Sequence, residues 1–119
     1  MLNLRSWEKG NSPRITAGYT YFQDRQQLEQ QLLIWKEWPS FIDIFLVDDG
    51  SEKDQALDVI KETDWDLPDY GPTFQLWRVT RNLGFNSHGC RNLIAKYALS
   101  DHIAFLILIC KLVQKLWVV

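Results

Sequence analysis

This chain of 119 residues has few cysteines and no excess of positive charge, and each of these features argues against a class of function. Cys90 and Cys110 are the only cysteines, too few for the disulfide framework of a small secreted domain. We therefore expect a reducing, cytoplasmic location. The 13 lysines and arginines do not exceed the 15 aspartates and glutamates, whereas proteins that bind nucleic-acid backbones are normally basic. No nucleic-acid partner is expected.

Long apolar runs are also few. The first residues, MLNLRSWEKG, contain no apolar core of the kind that a secretion signal needs. The most apolar stretch, residues 103–119, is shorter than the ~20 residues that span a bilayer, and Lys111 and Lys115 interrupt it. Membrane association would have to use this stretch as a tail anchor or an interfacial helix.

The composition that is present predicts a globular core. Hydrophobic residues make up 46% of the chain and charged residues 24%, and the length fits one domain or part of a larger one. Residues 1–13, which contain Gly10, Ser12 and Pro13, are predicted to be a lead-in to this core.

Residues 41–51, FIDIFLVDDGS, carry the strongest structural signal. A short apolar run that is rich in β-branched and aromatic residues and ends in a turn predicts a strand buried on both faces. Such strands belong to parallel sheets covered by helices, and ligands bind beyond the carboxyl ends of those strands. Asp48 and Asp49 are therefore expected at the edge of the sheet where ligands bind.

Predicted strands alternate with predicted helices along the chain. The strands are residues 14–22, 41–49, 73–80 and 103–109. In the first helix, Leu28, Leu32 and Trp35 share one face, and Asp24 can cap its N-terminus. Right-handed crossovers between these elements predict an α/β fold with a parallel, Rossmann-like sheet.

Four short stretches match a known family in their order and spacing. They are TYF at 20–22, FLVDDGS at 45–51, RNLGF at 81–85 and GCRN at 89–92. Together they resemble the family 2 glycosyltransferases of GT-A fold. The resemblance implies a partial GT-A nucleotide-sugar-binding domain over residues 14–106, followed by an apolar tail, residues 107–119, outside the family pattern. It implies transfer of a sugar from a nucleotide-sugar donor, most often UDP-linked, to an acceptor hydroxyl on a glycan, lipid or protein.

The resemblance assigns roles in nucleotide binding to two tyrosines and two aspartates. Tyr21, with Tyr19 as the alternative, matches the aromatic residue that lies against the nucleobase. Asp49 matches the aspartate that accepts a hydrogen bond from the base, and Asp48 would shape the turn beside it. The residues alone leave a second interpretation open, in which the tyrosines belong to the core and the aspartates cap the next helix with Ser51.

The resemblance also assigns the nucleotide phosphates to arginine. Arg91, with Arg81 near it, matches the basic residue beside those phosphates, and a guanidinium fork suits phosphate oxygens. The alternative for Arg91 is a solvated position on a helix. His88 and His102 lack carboxylate or cysteine neighbours at ligand spacing, so no metal role is expected for them.

The fourth predicted strand departs from the family pattern. The family has Asp-x-Asp there, whose carboxylates hold Mn²⁺ or Mg²⁺ against the sugar diphosphate, because hard cations need oxygen ligands. Ile107 and Ile109 stand about where those aspartates should be, and isoleucine cannot bind a cation. The sequence given also stops before the segment that would supply the acceptor site and the catalytic base. A frameshift would account for both, since LILIC can be encoded so that another reading frame gives Asp-Ile-Asp-Leu.

Two classes of function follow. The leading interpretation is an incomplete glycosyltransferase that keeps the donor-binding half and has impaired or no activity, with no catalytic or metal-binding residue in this chain. The alternative is a non-catalytic α/β module that binds a nucleotide or a partner. Titration with UDP would separate an inherited nucleotide pocket from an interaction surface.

Overall fold

The computed structural model describes residues 2–6, 14–81, 84 and 86–108, and it shows a five-stranded β-sheet with helices on both faces. The strands are β1 (Leu2–Ser6), β2 (Ile15–Tyr21), β3 (Ile42–Asp48), β4 (Thr73–Arg78) and β5 (Ile103–Leu106). The helices are α1 (Arg25–Trp35), α2 (Ala56–Glu62) and α3 (Ser87–Tyr97). The predicted α/β fold, in which strands alternate with helices, is confirmed.

Strands β2 to β5 run parallel in the order β4-β3-β2-β5, which is consistent with the predicted Rossmann-like sheet. Strand β1 is antiparallel to β4, with Leu2 opposite Arg78 and Ser6 opposite Gln75. It lies within residues 1–13, for which the sequence predicts a lead-in and no strand. The reason is that LNLRS is short and partly polar, so it has little of the signal of a buried strand.

The register of the parallel strands brings their carboxyl ends to one edge of the sheet. Tyr21 at the end of β2 is paired with Asp48 at the end of β3, which in turn is paired with Arg78 at the end of β4. The loops that follow these strands therefore meet at the same edge, where ligands bind in folds of this kind.

The sheet separates two hydrophobic clusters. The cluster on the α1–α2 face includes Ala17, Tyr19, Tyr21, Leu28, Leu32, Trp35, Ile44, Leu46, Ala56, Val59, Ile60, Phe74 and Leu76. The cluster on the α3 face includes Phe45, Val47, Val79, Cys90, Leu93 and Ile94. Because successive side chains of a strand point to opposite faces, Gly18 and Thr20 point toward α3. A Cβ added at Gly18 would lie 3.0 Å from Ile94, so glycine lets α3 pack close to β2.

Helix α1 follows its predicted pattern. Leu28, Leu32 and Trp35 are buried on one face, and Asp24 accepts a hydrogen bond from the backbone N–H of Gln27 at 3.3 Å. The predicted inward face and N-terminal cap are therefore confirmed. This helix packs on the sheet, where its Trp35 contacts Tyr19 on β2 and Phe74 on β4.

Strand β5 is shorter than the fourth predicted strand and ends at Leu106 rather than at residue 109. It is an edge of the sheet, and Phe105, Leu106 and Ile107 are 46%, 42% and 83% exposed. An exposed apolar edge favours aggregation. Residues 109–119, most of the predicted tail, lie outside the described residues. Within the described part of the chain, no helix combines the length and apolar character needed to cross a bilayer.

A buried carboxyl group lies between β3 and β4. Asp43 is fully buried, and it accepts hydrogen bonds from the Thr73 hydroxyl at 2.9 Å and from the Gln75 amide at 2.8 Å. Trp77 donates its indole N–H to the side-chain amide oxygen of Gln75 at 3.1 Å, which completes a polar chain of side chains along β4. Burial raises the pKa of Asp43 above its ordinary 3.8, although the bonds from Gln75 and Thr73 oppose this shift.

The Asp43→Asn variant is expected to become more stable relative to the wild type as the pH rises from 3.8 toward neutrality. Because folding raises the pKa of Asp43, its stabilising contribution is complete below the unfolded value and is lost as the pH rises through the folded pKa. Asparagine stays neutral throughout. Urea denaturation of both proteins across this range measures the difference, with the exposed Asp69→Asn variant as control. Parallel pH profiles for Asp43→Asn and the wild type would contradict this expectation.

Candidate functional site

A pocket of about 440 Å³ opens at the carboxyl ends of β2 and β5, on the face of the sheet that α3 covers. Its walls include Thr20, Phe22, Asp49, Arg91, Phe105 and Ile107. Two of the predicted site residues, Asp49 and Arg91, therefore lie in one pocket. A second cavity of about 560 Å³ lies at the opposite, amino-terminal edge beside Arg14, Phe41 and His102, and none of the predicted site residues lines it.

Asp48 organises the loop between β3 and α2. Its side chain is buried, and its two oxygens accept the backbone N–H groups of Ser51 and Ala56, each at 2.9 Å. Ala56 is the first residue of α2, so Asp48 caps this helix from the end of the strand, as the second interpretation of the aspartates predicts. Gly50 has a φ of 73°, a conformation that favours glycine and lets the chain turn sharply after the aspartates.

Asp49 presents a buried carboxylate oxygen without a partner. The residue is 3% exposed, and its Oδ2 accepts the backbone N–H of Asn86 at 3.1 Å. Its Oδ1 has no hydrogen-bond partner among the described residues. An unpaired buried polar atom costs about 1–3 kcal/mol, and more when the group is charged. The pocket wall thus contains one acceptor atom that a ligand with an N–H or O–H donor would satisfy.

The start of α3 supports Asp49. Asn86 directly precedes the helix, and an added Cβ at Gly89 would lie only 2.6 Å from the Asn86 side-chain amide. Glycine at position 89 therefore lets the side chain of Asn86 lie against the first turn of α3, while the backbone N–H of Asn86 donates to Asp49. The partial positive charge of a helix N-terminus favours a carboxylate at this position.

Tyr19 and Tyr21 are not brought together with the Asp49 side chain. Each is 1% exposed and lies in the α1–α2 core, on the opposite face of the sheet from the pocket. The ring of Tyr19 packs edge-on against Trp35 with centroids 5.1 Å apart, and burial raises its pKa to about 12. The hydroxyl of Tyr21 donates to the Asp54 carbonyl, and burial raises its pKa as well. Neither tyrosine presents an open ring face to the pocket.

The two predicted arginines differ in their position. Arg91 lies on α3 at the wall of the pocket, exposed, with its guanidinium carbon 5.9 Å from the centroid of the Phe105 ring. Among the described residues no carboxylate forms an ion pair with Arg91, so its charge is open to a ligand. Arg81 is exposed beyond the end of β4, and it does not line the pocket.

Two phenylalanines in the pocket were missed by the sequence analysis. Phe22 and Phe105 are 42% and 46% exposed and both line the pocket. The alternation of side chains along a strand could have identified Phe22, because residues two apart, such as Thr20 and Phe22, point to the same face. The family resemblance assigned this role to the neighbouring Tyr21 instead.

Cys90 lies beneath Asp49 on α3 and is fully buried. Burial, followed by the negative charge of Asp49 and a hydrogen bond between the thiol and the Asp49 carboxylate, raises the pKa of the Cys90 thiol to about 12. The thiol is therefore protonated at neutral pH and poorly nucleophilic.

The described pocket does not fit a divalent cation. Asp49 contributes one free carboxylate oxygen, whereas Mg²⁺ and Mn²⁺ take several oxygen ligands. In the parts of the chain that the structure describes, no three His, Cys, Asp or Glu side chains come together as a metal site would require. Ile107, which stands about where the resemblance would place a metal-binding aspartate, is 83% exposed, and Ile109 lies outside the described residues.

Comparison with known proteins does not assign the chain to a family. No protein-family model matches the chain, and a search of curated proteins finds no match to its sequence. The family resemblance thus depends on the short motifs alone. Asp49, Arg91 and the aromatic walls define the chemistry of the pocket.

Proposed function

We propose that this chain is the donor-binding part of a nucleotide-sugar-dependent glycosyltransferase and that its pocket binds the nucleotide. The observation that carries the proposal is the buried, unpartnered Oδ1 of Asp49 at the pocket wall. Such an atom is costly in the free protein and is satisfied by a ligand donor. A nucleotide ligand is also what the family resemblance implies, through the VDDGS turn and the RNLGF and GCRN stretches.

The hydrogen-bonding capacity of Asp49 favours a base with one N–H donor. An ionised carboxylate only accepts hydrogen bonds, and one of its oxygens already bonds to Asn86. Uracil offers a single imide N–H between two carbonyls. The family resemblance implies a UDP-linked donor, and the single free oxygen of Asp49 is compatible with the imide N–H of uracil.

Arg91 supplies the charge for the other end of the nucleotide. Its guanidinium lies at the same pocket as Asp49, and no carboxylate of the described residues neutralises it. Guanidinium groups bind phosphate oxygens through paired, charge-assisted hydrogen bonds. A ligand with an N–H donor at one end and phosphates at the other would match Asp49 and Arg91 together.

In the complete reaction, the acceptor oxygen would bond to the anomeric carbon of the sugar while the bond between that carbon and the β-phosphate oxygen breaks, and UDP would leave. Removal of the hydroxyl proton needs a general base. Among the described residues that line the pocket, Asp49 is the one carboxylate, and it is assigned to the base of the nucleotide, so the proposal gives this chain nucleotide binding without turnover of its own. A cytoplasmic location belongs to the proposal, because the sequence has few cysteines and Cys90 is a free thiol.

A non-catalytic nucleotide-binding module is the second candidate. Ile107, which occupies a position where the family has a metal-binding aspartate, favours it. The two candidates differ in whether sugar transfer is restored when a complementary segment with a base and metal ligands is supplied. Transfer from a UDP-sugar with Mn²⁺ in that reconstituted assay would favour the transferase, and binding without transfer would favour the module.

The proposal is tested by calorimetric titration of the full chain with UDP, comparing the wild type with Asp49→Asn. Asparagine has one acceptor oxygen and must serve both Asn86 and the base. We expect Asp49→Asn to bind UDP at least about tenfold more weakly than the wild type, because a hydrogen bond to a charged group contributes ~1.5–3 kcal/mol. Asp69→Asn, on an exposed turn, should bind like the wild type. A folded wild type that does not bind UDP would rule the proposal out.

A further inference from the structure

We infer that Phe22 is the side chain that stacks on the base of the bound nucleotide, in place of either tyrosine of the motif. The inference rests on the proposed function and assigns a specificity-determining residue within the same pocket. Three aromatic candidates lie at the ends of β2 and β5: Tyr21, Phe22 and Phe105. Their burial and their contacts separate them.

Tyr21 is excluded by its position in the core. Its ring is 1% exposed on the α1–α2 face, and its hydroxyl bonds to the backbone of Asp54. Exposing the ring to the pocket would require it to cross to the other face of β2. The structure gives Tyr21 a different task, which is to hold the loop between β3 and α2 beneath Asp49.

Phe105 already has a cation on its ring. The guanidinium carbon of Arg91 is 5.9 Å from the ring centroid, which is within the range of a cation–π contact. A base stacked on that face would displace Arg91 from the pocket wall. Phe105 therefore serves to position Arg91.

Phe22 is the aromatic side chain with an open face. It lines the pocket with Asp49, is 42% exposed, and has no ring or cation contact among the described residues. Asp49 and Phe22 each follow the last residue of neighbouring parallel strands, β3 and β2. A base lying on the Phe22 ring would point an edge toward Asp49.

The loop that carries Phe22 is fixed to the loop that carries Asp49. Gln23 has a φ of 46°, and its backbone N–H donates to the Ser51 hydroxyl at 3.0 Å. Its side-chain carbonyl accepts the backbone N–H of Glu52 at 2.9 Å. These bonds hold the two loops in one arrangement before a ligand arrives, which reduces the ordering cost of binding.

The test is a titration of the full chain with UMP, measured by calorimetry and by NMR of the base protons. Phe22→Leu keeps an apolar side chain but removes the ring, whereas Phe22→Tyr keeps the ring. Base–aromatic stacking predicts about tenfold weaker UMP binding for Phe22→Leu and near-wild-type binding for Phe22→Tyr. The ring-current shift of the uracil protons on binding should be present in the wild type and absent in Phe22→Leu. Phe41→Leu, the same change at the opposite edge of the sheet, is the matched control.

The outcomes distinguish this inference from the proposed function. If the wild type binds UMP, Asp49→Asn weakens binding, and Phe22→Leu binds as tightly as Phe41→Leu with the same proton shifts, the role of Phe22 is refuted while the nucleotide pocket stands. If the folded wild type does not bind UMP, the proposed function fails, and the role of Phe22 fails with it. Circular dichroism of each variant verifies that the fold is intact.

Discussion

The Trp35→Ala variant is expected to lose about 3–5 kcal/mol of folding free energy, the usual cost of removing a large buried aromatic side chain. Trp35 is fully buried at the end of α1. Its ring lies 5.1 Å from Tyr19, 6.3 Å from Trp65 and 5.7 Å from Phe74, measured between centroids. Alanine would leave a cavity where a helix, a strand and a loop meet. Because domains are stable by only about 5–15 kcal/mol, this loss is a large fraction of the total.

Chemical denaturation followed by circular dichroism measures the loss. Leu33→Ala, in the same helix but 67% exposed, is the matched control and should change stability by less than about 1 kcal/mol. Trp35→Phe should lie between the two, since phenylalanine fills part of the site. Equal denaturation midpoints for Trp35→Ala and Leu33→Ala would show that the α1–α2 core is not packed around Trp35.

The Asp48→Ala variant is expected to lose about 2–5 kcal/mol and to weaken UDP binding as well. The substitution leaves the buried N–H groups of Ser51 and Ala56 without acceptors, and each unsatisfied group costs about 1–3 kcal/mol. The same loop contains Asp49, so its acceptor oxygen would no longer be held at the pocket wall. The effect on UDP binding is therefore a consequence of the loop's conformation, since both Asp48 oxygens are already bonded.

Two measurements on the same protein test this expectation. Chemical denaturation gives the loss of stability, and titration of the folded protein with UDP, at a temperature below the thermal unfolding midpoint of the variant, gives the loss of affinity. Asp48→Asn, which keeps one acceptor oxygen, should retain more stability than Asp48→Ala, and Asp69→Ala should resemble the wild type. An Asp48→Ala protein that is as stable as Asp69→Ala would contradict the capping role.

Local sequence patterns were sufficient for the parallel strands and for α1. Strand β3 is an almost unbroken apolar run because helices cover both of its faces, so its signal does not depend on any other part of the chain. The spacing of Leu28, Leu32 and Trp35 likewise follows from the period of a single helix. The position of Asp48 and Asp49 at the end of β3 follows in the same way.

Features that depend on distant partners could not be predicted. Asp43 is a polar residue within an apolar run, and its bonding partners on β4 are 30 and 32 residues away. Strand β1 gains its structure by pairing with β4, not from its own short sequence. In both cases the stabilising hydrogen bonds form only after the sheet has assembled.

The sequence by itself determined that two aspartates end one buried parallel strand and that an aromatic pair, Tyr21 and Phe22, ends the strand before it. Only the tertiary structure decided which of those rings reaches the ligand pocket. Neighbouring residues of a strand point to opposite faces, so one ring had to enter the core and the other had to face outward. The packing of α3 and β5 beside Asp49 placed the pocket on the face of Phe22 and left Tyr21 in the core.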